Sequence, residues 1–320
     1  MGGNARCLII GGAGFIGSHV SSRLSLAGME VRVFDRDPAP RPCQGHLLAR
    51  TEYQQGDIQN TGEVLSAVDG VTDIVYMAHT TFPASSMHDP CFDLQSNVLP
   101  FLRLLQTCLQ VSRVKRIIYF SSGGTVYGNT KKKIALTENH PTKPISSYGL
   151  TKLICECYLR LAISHSSVTG LVLRPSNAYG IGQNLIRPQG VIAHSLKAIA
   201  LGQPVMVYGD GTVVRDFVYV SDIADAVLLC LESPFSSPGS VQTYNVGTGQ
   251  AVSLNSLLNL MENVTGKRCN IEYHPARTFD CAYNVLDCSL IRKAFGWGPK
   301  TSLREGIGLV WDWINGLLTR

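Results

Sequence analysis

Three things are scarce in this sequence of 320 residues: charge, long apolar runs and paired cysteine motifs. Charged residues make up only 16% of the chain, and the formal net charge is +5. The densest basic run, Lys131-Lys132-Lys133, is typical of a solvated loop, so we expect no nucleic-acid partner. No apolar run approaches the roughly 20 residues that span a bilayer, so we expect no membrane segment either.

Ten cysteines are present, but they do not form the C-x-x-C pairs of zinc sites. Cys155 and Cys157 stand two residues apart in a predicted helix, so they point in different directions. The first predicted strand begins a few residues after Met1, which leaves no room for a signal peptide. We therefore expect a cytoplasmic protein with reduced thiols and without a metal site.

What the sequence does have, near its start, is a glycine cluster directly after an apolar run. Gly11, Gly14 and Gly17 follow the first predicted strand, and apolar residues at helical spacing come next. The first glycine allows a tight turn, the second lets a pyrophosphate approach, and the third lets helix and strand pack closely. Free N–H groups at the helix start, near Phe15 and Ile16, would bind the phosphates. The pattern predicts a dinucleotide site, although a strand-to-helix turn without a ligand has the same appearance.

An acid at the end of the second predicted strand supports this interpretation. Asp35 follows the apolar run 31–34, roughly 20 residues after the glycines, where an acid meets the adenosine ribose. It favours NAD, because its charge would repel the extra phosphate of NADP. Arg36 is adjacent and could accept that phosphate, so NADP stays open at this point.

Further strands alternate with helical patterns, which predicts a doubly wound parallel sheet. One strand near 52–54 leads to Asp57 and Ile58, which could hold the adenine ring, although an ordinary loop aspartate fits equally well. The next, 73–76, runs into His79, for which a structural or cleft-lining role is favoured over catalysis.

A tyrosine and a lysine form the most specific pair in the sequence. Tyr148 and Lys152 are four residues apart and so share one face of a predicted helix. The apolar stripe of that helix centres nearly opposite to them; its residues are Leu150, Leu153, Ile154, Cys157 and Leu161. We therefore expect the stripe to be buried, with the phenol and the ammonium pointing the other way. The preceding strand ends in the hydroxyl residues Ser121, Ser122 and Thr125, at the ligand-binding end of the sheet.

Together these motifs resemble those of extended short-chain dehydrogenase/reductases of the nucleotide-sugar epimerase/dehydratase family, nearest to UDP-glucose 4-epimerases. The resemblance covers nearly the whole chain and includes later segments at 173–180, 189–192 and 208–222. It implies a Rossmann-type doubly wound α/β fold with a smaller C-terminal α/β substrate-binding lobe, and NAD as the cofactor.

The resemblance also implies how the chain is divided and assembled. Residues 1–170 would form the NAD-binding domain, with 205–235 returning to it, and 171–320 would form mainly the substrate lobe. A homodimer is implied, formed by the helices near Phe101–Leu109 and Tyr148–Leu161.

Each residue that matches a family motif receives an implied role. Beyond the glycine loop with Asp35 and Arg36, the implied NAD contacts are Asp57, Ile58, Ala78, Asn97, Ser121, Tyr148 and Lys152. A UDP-sugar would be held by Asn177, Arg215 and Arg277 at the diphosphate, by Gly190 and Val191 at the base, and by Asp280 at the ribose. Asn284 stands where a bulky residue restricts the pocket to non-acetylated sugars, and a small one admits N-acetyl or uronate sugars.

The implied reaction inverts C4 of the UDP-linked hexose while NAD stays bound. Tyr148 would take the C4 hydroxyl proton, and Lys152 and the nicotinamide would lower the pKa of the phenol. The sequence departs from the family at Gly123, where a serine or threonine is usual. Ser122, Thr125 or a water must replace that hydroxyl, and Thr125 is slightly favoured.

Other reactions of the family are less well matched. Dehydratases carry an Asp-Glu pair just after the threonine, and decarboxylases usually have a glutamate in the same stretch, where this chain has Gly-Gly instead. A C4 reductase would prefer NADPH, which Asp35 disfavours. A non-catalytic NAD-binding regulator would share the fold, but the intact Tyr148 and Lys152 do not favour it.

Overall fold

The computed structural model describes residues 6–37, 50–110, 113–130, 133–186, 189–234, 237–277 and 280–319. Lys131 and Lys132, two residues of the predicted basic loop, lie outside these ranges.

Fourteen strands are formed in the described residues. Their bounds are β1 Arg6–Ile10, β2 Glu30–Asp35, β3 Thr51–Gln55, β4 Asp73–Tyr76, β5 Arg116–Phe120, β6 Thr169–Pro175, β7 Asn177–Tyr179, β8 Val205–Tyr208, β9 Val214–Arg215, β10 Phe217–Tyr219, β11 Val241–Val246, β12 Val252–Ser253, β13 Ile271–His274 and β14 Tyr283–Asn284.

Ten helices are formed in the same residues. Their bounds are α1 Phe15–Leu26, α2 Thr61–Val68, α3 Pro83–His88, α4 Pro90–Gln110, α5 Ser147–Ile163, α6 Val191–Ala200, α7 Val220–Glu232, α8 Leu254–Thr265, α9 Ser289–Phe295 and α10 Leu303–Leu318. None of these helices is long and apolar enough to cross a membrane.

Seven strands form one parallel sheet in the order β11-β6-β5-β4-β1-β2-β3. The chain runs outward from β1 to β3, then crosses to β4 and builds the other half. Ile10 at the end of β1 therefore lies between Phe34 of β2 and Tyr76 of β4. The crevice at the carboxyl ends of β1 and β4 is the switch point where open α/β sheets bind ligands.

The sheet is buried on both faces, because successive strand residues point to opposite sides. In β1, Cys7 and Ile9 pack in the core that includes α1 and α7, whereas Leu8 and Ile10 pack in the core that includes α2, α4 and α5. This confirms the predicted doubly wound architecture.

A smaller lobe is built from the later part of the chain. Its core contains apolar residues of α6, α8 and α10, and its strands pair as β7 with β10, β8 with β13, and β9 with β12 and β14. The division near residue 170 falls inside β6, which belongs to the main sheet. Of the predicted returning segment 205–235, α7 packs on the main sheet beside α1, whereas β8 belongs to the smaller lobe.

The helix expected near Phe101–Leu109 is longer than that range. It begins at Pro90 and continues through Pro100 to Gln110 as α4. The apolar spacing that predicted it starts only at Phe101, because the first two turns carry polar residues that contact the neighbouring loop.

The predicted orientation of α5 is wrong. Leu150 and Leu161 of the apolar stripe are 50% and 68% exposed, and Cys157 is exposed as well, whereas Leu153 and Ile154 are partly buried against the two cores. The opposite side packs inward, with Lys152 3% and Glu156 1% exposed. Polar groups occupy the buried side because each of them finds a partner there, as the site geometry shows.

Candidate active site

A cleft of about 580 Å³ opens at the switch point, between the sheet and the smaller lobe. Most of the residues predicted for the site line this cleft: Gly11, Gly14, Phe15, Ile16, Gly17, Ser121, Ser122, Thr125, Tyr148, Lys152, Asn177, Gly190, Val191, Arg215, Arg277 and Asp280. The predicted residues that lie beside or behind it are Asp35, Arg36, Asp57, Ile58, Ala78, Asn97 and Asn284.

The glycine loop forms a cradle that side chains would fill. Gly11 has a φ of +84°, and a Cβ there would lie 2.6 Å from the backbone N of Ala78. A Cβ on Gly17 would lie 2.2 Å from the carbonyl O of Gly11, so helix and loop touch at this point. Gly14 precedes α1 without a side-chain cap, which leaves N–H groups of the first turn facing the cleft. The loop therefore fits the pyrophosphate of a dinucleotide.

Asp35 braces this cradle from β2. Its Oδ2 accepts a hydrogen bond of 3.0 Å from the backbone N–H of Ala13, inside the glycine loop. Asp57, farther along the sheet edge, accepts from Gln59 N at 2.9 Å, and its own N–H donates to Glu63 at 2.7 Å. Both acids lie at carboxyl ends of adjacent strands, as expected, and their contacts with a nucleoside stay a prediction.

Two asparagines predicted to touch ligands are buried away from the cleft. Asn97 is 3% exposed, donates to Asp93 at 2.9 Å and accepts from Thr80 N at 2.8 Å. Asn284 is fully buried and donates to the carbonyl O of Gly123 at 2.9 Å. Both side chains hold loops of the site in place, because their amide groups are directed at those loops.

Lys152 lies on the buried side of α5. Its Nζ donates to the carbonyl O of Phe120 at 2.8 Å and lies 5.7 Å from the centroid of the Tyr148 ring. Burial lowers the pKa of Lys152 to about 8, although the nearby Asp93 and Glu156 act in the opposite direction. The ammonium and the neutral amine of Lys152 are therefore populated about equally near pH 8.

Without NAD, the surroundings of Tyr148 do not lower the pKa of its phenol, and the lowering expected from Lys152 together with the nicotinamide stays a prediction. Burial, followed by the negative charge of Asp93, raises the pKa of Tyr148 to about 12. The hydroxyl of Ser122 acts against this rise through a hydrogen bond with the phenol. The groups of the protein alone therefore favour the neutral phenol.

The structure also explains the departure at Gly123. A Cβ there would lie 2.5 Å from Leu286 Cδ1 and 2.8 Å from the carbonyl O of Arg174, so this position faces the core. Thr125 lines the cleft, but its buried Oγ1 has no hydrogen-bond partner among the described residues. Ser122, rather than the slightly favoured Thr125, is the hydroxyl that contacts Tyr148.

A buried ion pair between α5 and β6 was not predicted from the sequence. Glu156 of α5 is paired with Arg174 of β6 at 2.6 Å and accepts from Ser121 at 2.5 Å. Burial alone would lower the pKa of Arg174, but the pairing with Glu156 raises it. The available signals were a glutamate four residues after Lys152 and an arginine inside an otherwise apolar strand.

The smaller lobe contributes cations and amides to the same cleft. Arg215 donates to the carbonyl O atoms of Val214 at 3.0 Å and Cys281 at 2.5 Å. Burial lowers the pKa of this arginine, and Asp280 partly opposes the effect. Asn177 donates to the carbonyl O of Asp216 at 2.9 Å, which leaves its Oδ1 facing the cleft near the loop at 124.

Arg277 lies over an aromatic ring at the edge of the cleft. Its guanidinium carbon is 3.4 Å from the centroid of the Tyr208 ring, and His274 stacks on the same ring at 5.4 Å. Tyr208 also lines the cleft, so this stack presents a flat aromatic and cationic surface. In the described residues, no group of three His, Cys, Asp or Glu side chains is arranged to hold a metal ion.

Known proteins share both the sequence and the architecture. Residues 7–247 match the NAD dependent epimerase/dehydratase family. The chain is 32% identical over 312 residues to a putative UDP-glucose 4-epimerase of Methanocaldococcus jannaschii, which covers 96% of this chain and 98% of that relative.

Solved structures agree with this match. The UDP-glucose 4-epimerase of Thermotoga maritima with UDP-glucose has a TM-score of 0.90 and 31% identity, covering 98% of this chain and 99% of that one. MoeE5 in complex with UDP-glucuronic acid and NAD has a TM-score of 0.89 and 29% identity, covering 98% and 100%. The glycine cradle, the Tyr148–Lys152 pair and these similarities agree, and the chain belongs to the NAD-dependent epimerase/dehydratase family.

Proposed function

We propose that the protein is an NAD-dependent 4-epimerase of UDP-hexoses, which oxidises C4 of the sugar transiently. The observation that carries the proposal is the position of Tyr148 and Lys152, which line the same cleft as the glycine cradle and the two arginines of the smaller lobe. One cleft thus offers a dinucleotide cradle, a proton-transfer group and cations for a diphosphate.

The cofactor would be held by Gly11, Gly14 and Gly17 with the first turn of α1, and its ribose by Asp35. When bound, NAD would supply reversible hydride transfer from C4 and a positive charge that favours the phenolate. An acid at the position of Asp35 supports NAD over NADP, because it would repel a ribose phosphate.

Tyr148 would remove the proton of the C4 hydroxyl and later return it. Its pKa of about 12 in the protein alone means that nearby positive charge must favour the phenolate. Bound NAD would add such charge to that of Lys152, which has a pKa of about 8 and is mostly protonated at neutral pH. Ser122, which hydrogen-bonds with the phenol, would pass the proton between Tyr148 and the sugar.

The diphosphate would be held while the sugar turns over. Arg215 and Arg277 line the cleft, and guanidinium groups match phosphate oxygens and keep their charge at any working pH. Asn177 lines the same cleft. These anchors matter as much as the base, because a sugar that leaves the cleft before C4 is reduced cannot be epimerised.

The sugar is the finer part of the proposal. Similar structures hold UDP-glucose and UDP-glucuronic acid, and we propose UDP-glucose first. Asn284 does not line the cleft, so its size would influence the sugar only through the loop at Gly123 that it holds.

We further propose a homodimer in the cytoplasm. Exposed apolar side chains are concentrated on two adjacent helices, namely Phe92, Leu99 and Leu109 of α4 and Leu150 and Leu161 of α5. A second copy of the chain would cover this outer face. The nine cysteines of the described residues are free thiols, which suits a reducing compartment.

A product assay tests the reaction and the substrate together. The protein is purified without added cofactor and incubated separately with UDP-glucose, UDP-N-acetylglucosamine and UDP-glucuronate, and the sugar nucleotides are resolved chromatographically. We expect UDP-galactose to form from UDP-glucose until the two epimers reach equilibrium. Consumption of NADPH with a 4-keto sugar, without epimerisation in any arm, would contradict the proposal and indicate a C4 reductase.

A further inference from the structure

We propose that His79 is a positioning residue for Tyr148, whose imidazole ring holds the phenol ring at its working angle. The inference rests on the proposed role of Tyr148 in proton transfer. His79 follows β4, lines the cleft, and its side chain is only 9% exposed. Its ring meets the Tyr148 ring at 79°, with 4.7 Å between the centroids. Such an edge-to-face contact is directional, so it restricts the tilt of the phenol.

A buried carboxylate lies beside the histidine, on the Nε2 side of its ring. Nε2 of His79 is buried, has no hydrogen-bond partner among the described residues, and lies 3.7 Å from Oδ1 of Asp93. Asp93 is fully buried in α4. The imidazole thus directs its polar edge at the carboxylate and its ring at the phenol.

The same carboxylate clamps the first turn of α5. Oδ2 of Asp93 accepts from Ser147 at 2.7 Å and from Thr151 at 3.2 Å, which flank Tyr148 in the helix. Oδ1 accepts from Thr81 and from Asn97 in the loop and helix that follow His79. The helix that carries Tyr148 and the loop that carries His79 are therefore both hydrogen-bonded to Asp93.

The charge state of the imidazole suits a packing role. Burial, and then the positive charge of Lys152, lower the pKa of His79 well below its usual value of 6.5. The groups that face it are Asp93 from α4 and Tyr148 and Lys152 from α5. A neutral ring fills the space beside the phenol without adding a second cation next to Lys152.

Substitutions separate ring packing from polar contact. His79→Ala removes both, His79→Phe keeps a ring, and His79→Gln keeps a polar end without a ring. We expect His79→Ala and His79→Gln to lower kcat about tenfold to a hundredfold with KM within about twofold, since small misplacements of reacting groups have effects of this size. His79→Phe should keep at least about a third of the wild-type kcat.

A matched control is His140, which makes a similar edge contact with Tyr127 outside the cleft, at 6.1 Å and 73°. His140→Ala should leave kcat unchanged. A His79→Ala enzyme with wild-type kcat, a change confined to KM, or rescue by His79→Gln but not by His79→Phe would each overturn the proposal.

A spectroscopic experiment tests the arrangement of His79 and Tyr148 whether or not the proposed reaction is observed. In protein labelled with ¹³C-histidine, the resonance that disappears in His79→Phe should stay that of neutral imidazole from pH 8 to pH 5. In tyrosine-labelled protein, the resonance assigned to Tyr148 by Tyr148→Phe should shift in His79→Ala and stay in place in His140→Ala. Protonation of His79 near pH 6.5, or an unmoved Tyr148 resonance, would contradict the proposed arrangement without any assumption about the substrate.

Discussion

The inward face of α5 combines buried charges with apolar core residues such as Leu159 and Ile163, whereas its outward face carries exposed leucines. The inward face carries Lys152 and Glu156, which are 3% and 1% exposed, while the outward face carries Leu150 and Leu161, which are 50% and 68% exposed. Both faces depart from what hydrophobic burial alone favours. Polar groups are thus buried where they have hydrogen-bond or ionic partners. An apolar face can stay exposed on the monomer when a second surface covers it in an assembly.

The partners of the inward face are specific. Lys152 donates to Phe120 O, and Glu156 pairs with Arg174 and accepts from Ser121. A buried charge without a partner costs several kcal/mol, so these contacts are what makes the inward face tolerable. The outward face needs no such contacts. Its apolar side chains contribute to stability only when another surface removes them from water.

The largest effect should come from removing the phenol of the inward face. Tyr148→Phe deletes the proton-transfer group but keeps the ring, so kcat should fall roughly 10²- to 10⁴-fold. NAD binding, measured by calorimetry, should be unchanged. Tyr273→Phe, at a tyrosine of β13 that is 59% exposed and does not line the cleft, is the control and should keep full activity. Activity retained in Tyr148→Phe would remove the basis of the proposed mechanism.

The next effect concerns the ion pair beneath the helix. Glu156→Gln leaves Arg174 as a buried cation without its counter-charge, so the free energy of unfolding should fall by about 3–5 kcal/mol. Urea unfolding followed by circular dichroism measures this change. The same substitution at Glu272, an exposed partner of His274 at 3.2 Å, should cost less than about 1 kcal/mol. Equal losses in the two variants would show that burial does not distinguish the pairs.

Lys152 should make the stability of the inward face depend on pH. Burial lowers its pKa from 10.5 to about 8. Between these values the unfolded chain holds a proton that the folded chain has lost, so the free energy of unfolding rises with pH. From pH 8 to pH 10.5, the free energy of unfolding of the wild type should therefore rise relative to that of Lys152→Met by up to about 3 kcal/mol.

Urea titrations at several pH values measure this difference. Lys300→Met is the control, because the side chain of Lys300 is 73% exposed, and its difference from the wild type should not vary over the same range. A flat difference for Lys152→Met would indicate that the buried lysine keeps its ordinary proton affinity.

The smallest effect on stability should come from the outward face. Leu161→Asp replaces an exposed side chain, so the free energy of unfolding of the monomer should change by less than about 0.5 kcal/mol. The molecular mass in light scattering should nevertheless fall from that of a dimer to that of a monomer, because a charge would enter the covered face. Leu26→Asp, at 67% exposure on α1, is the matched control and should leave the mass unchanged. A dimer that survives Leu161→Asp would place its interface elsewhere.

Local patterns predicted much of the fold correctly. The strand–glycine–helix unit from β1 to α1 and the acid at the end of β2 are read from neighbouring residues, and the structure has both. The start of α4 was missed, because its first two turns carry polar residues whose partners lie in another loop. The amide groups of Asn97 and Asn284 hydrogen-bond to neighbouring loops, which a sequence does not show, and their contacts with ligands stay predictions.

Local sequence suffices for the alternation of strands and helices, for the dinucleotide loop, and for the helical spacing of Tyr148 and Lys152. These features depend on backbone geometry and on residues close together in the chain. Folding of the whole chain is needed to bury one face of α5, to bring Ser122 to Tyr148, and to place Asp93 and His79 beside the phenol. Such outcomes depend on partners that are distant in sequence, and a buried polar group is stable only where folding brings its partner within hydrogen-bonding or ionic contact.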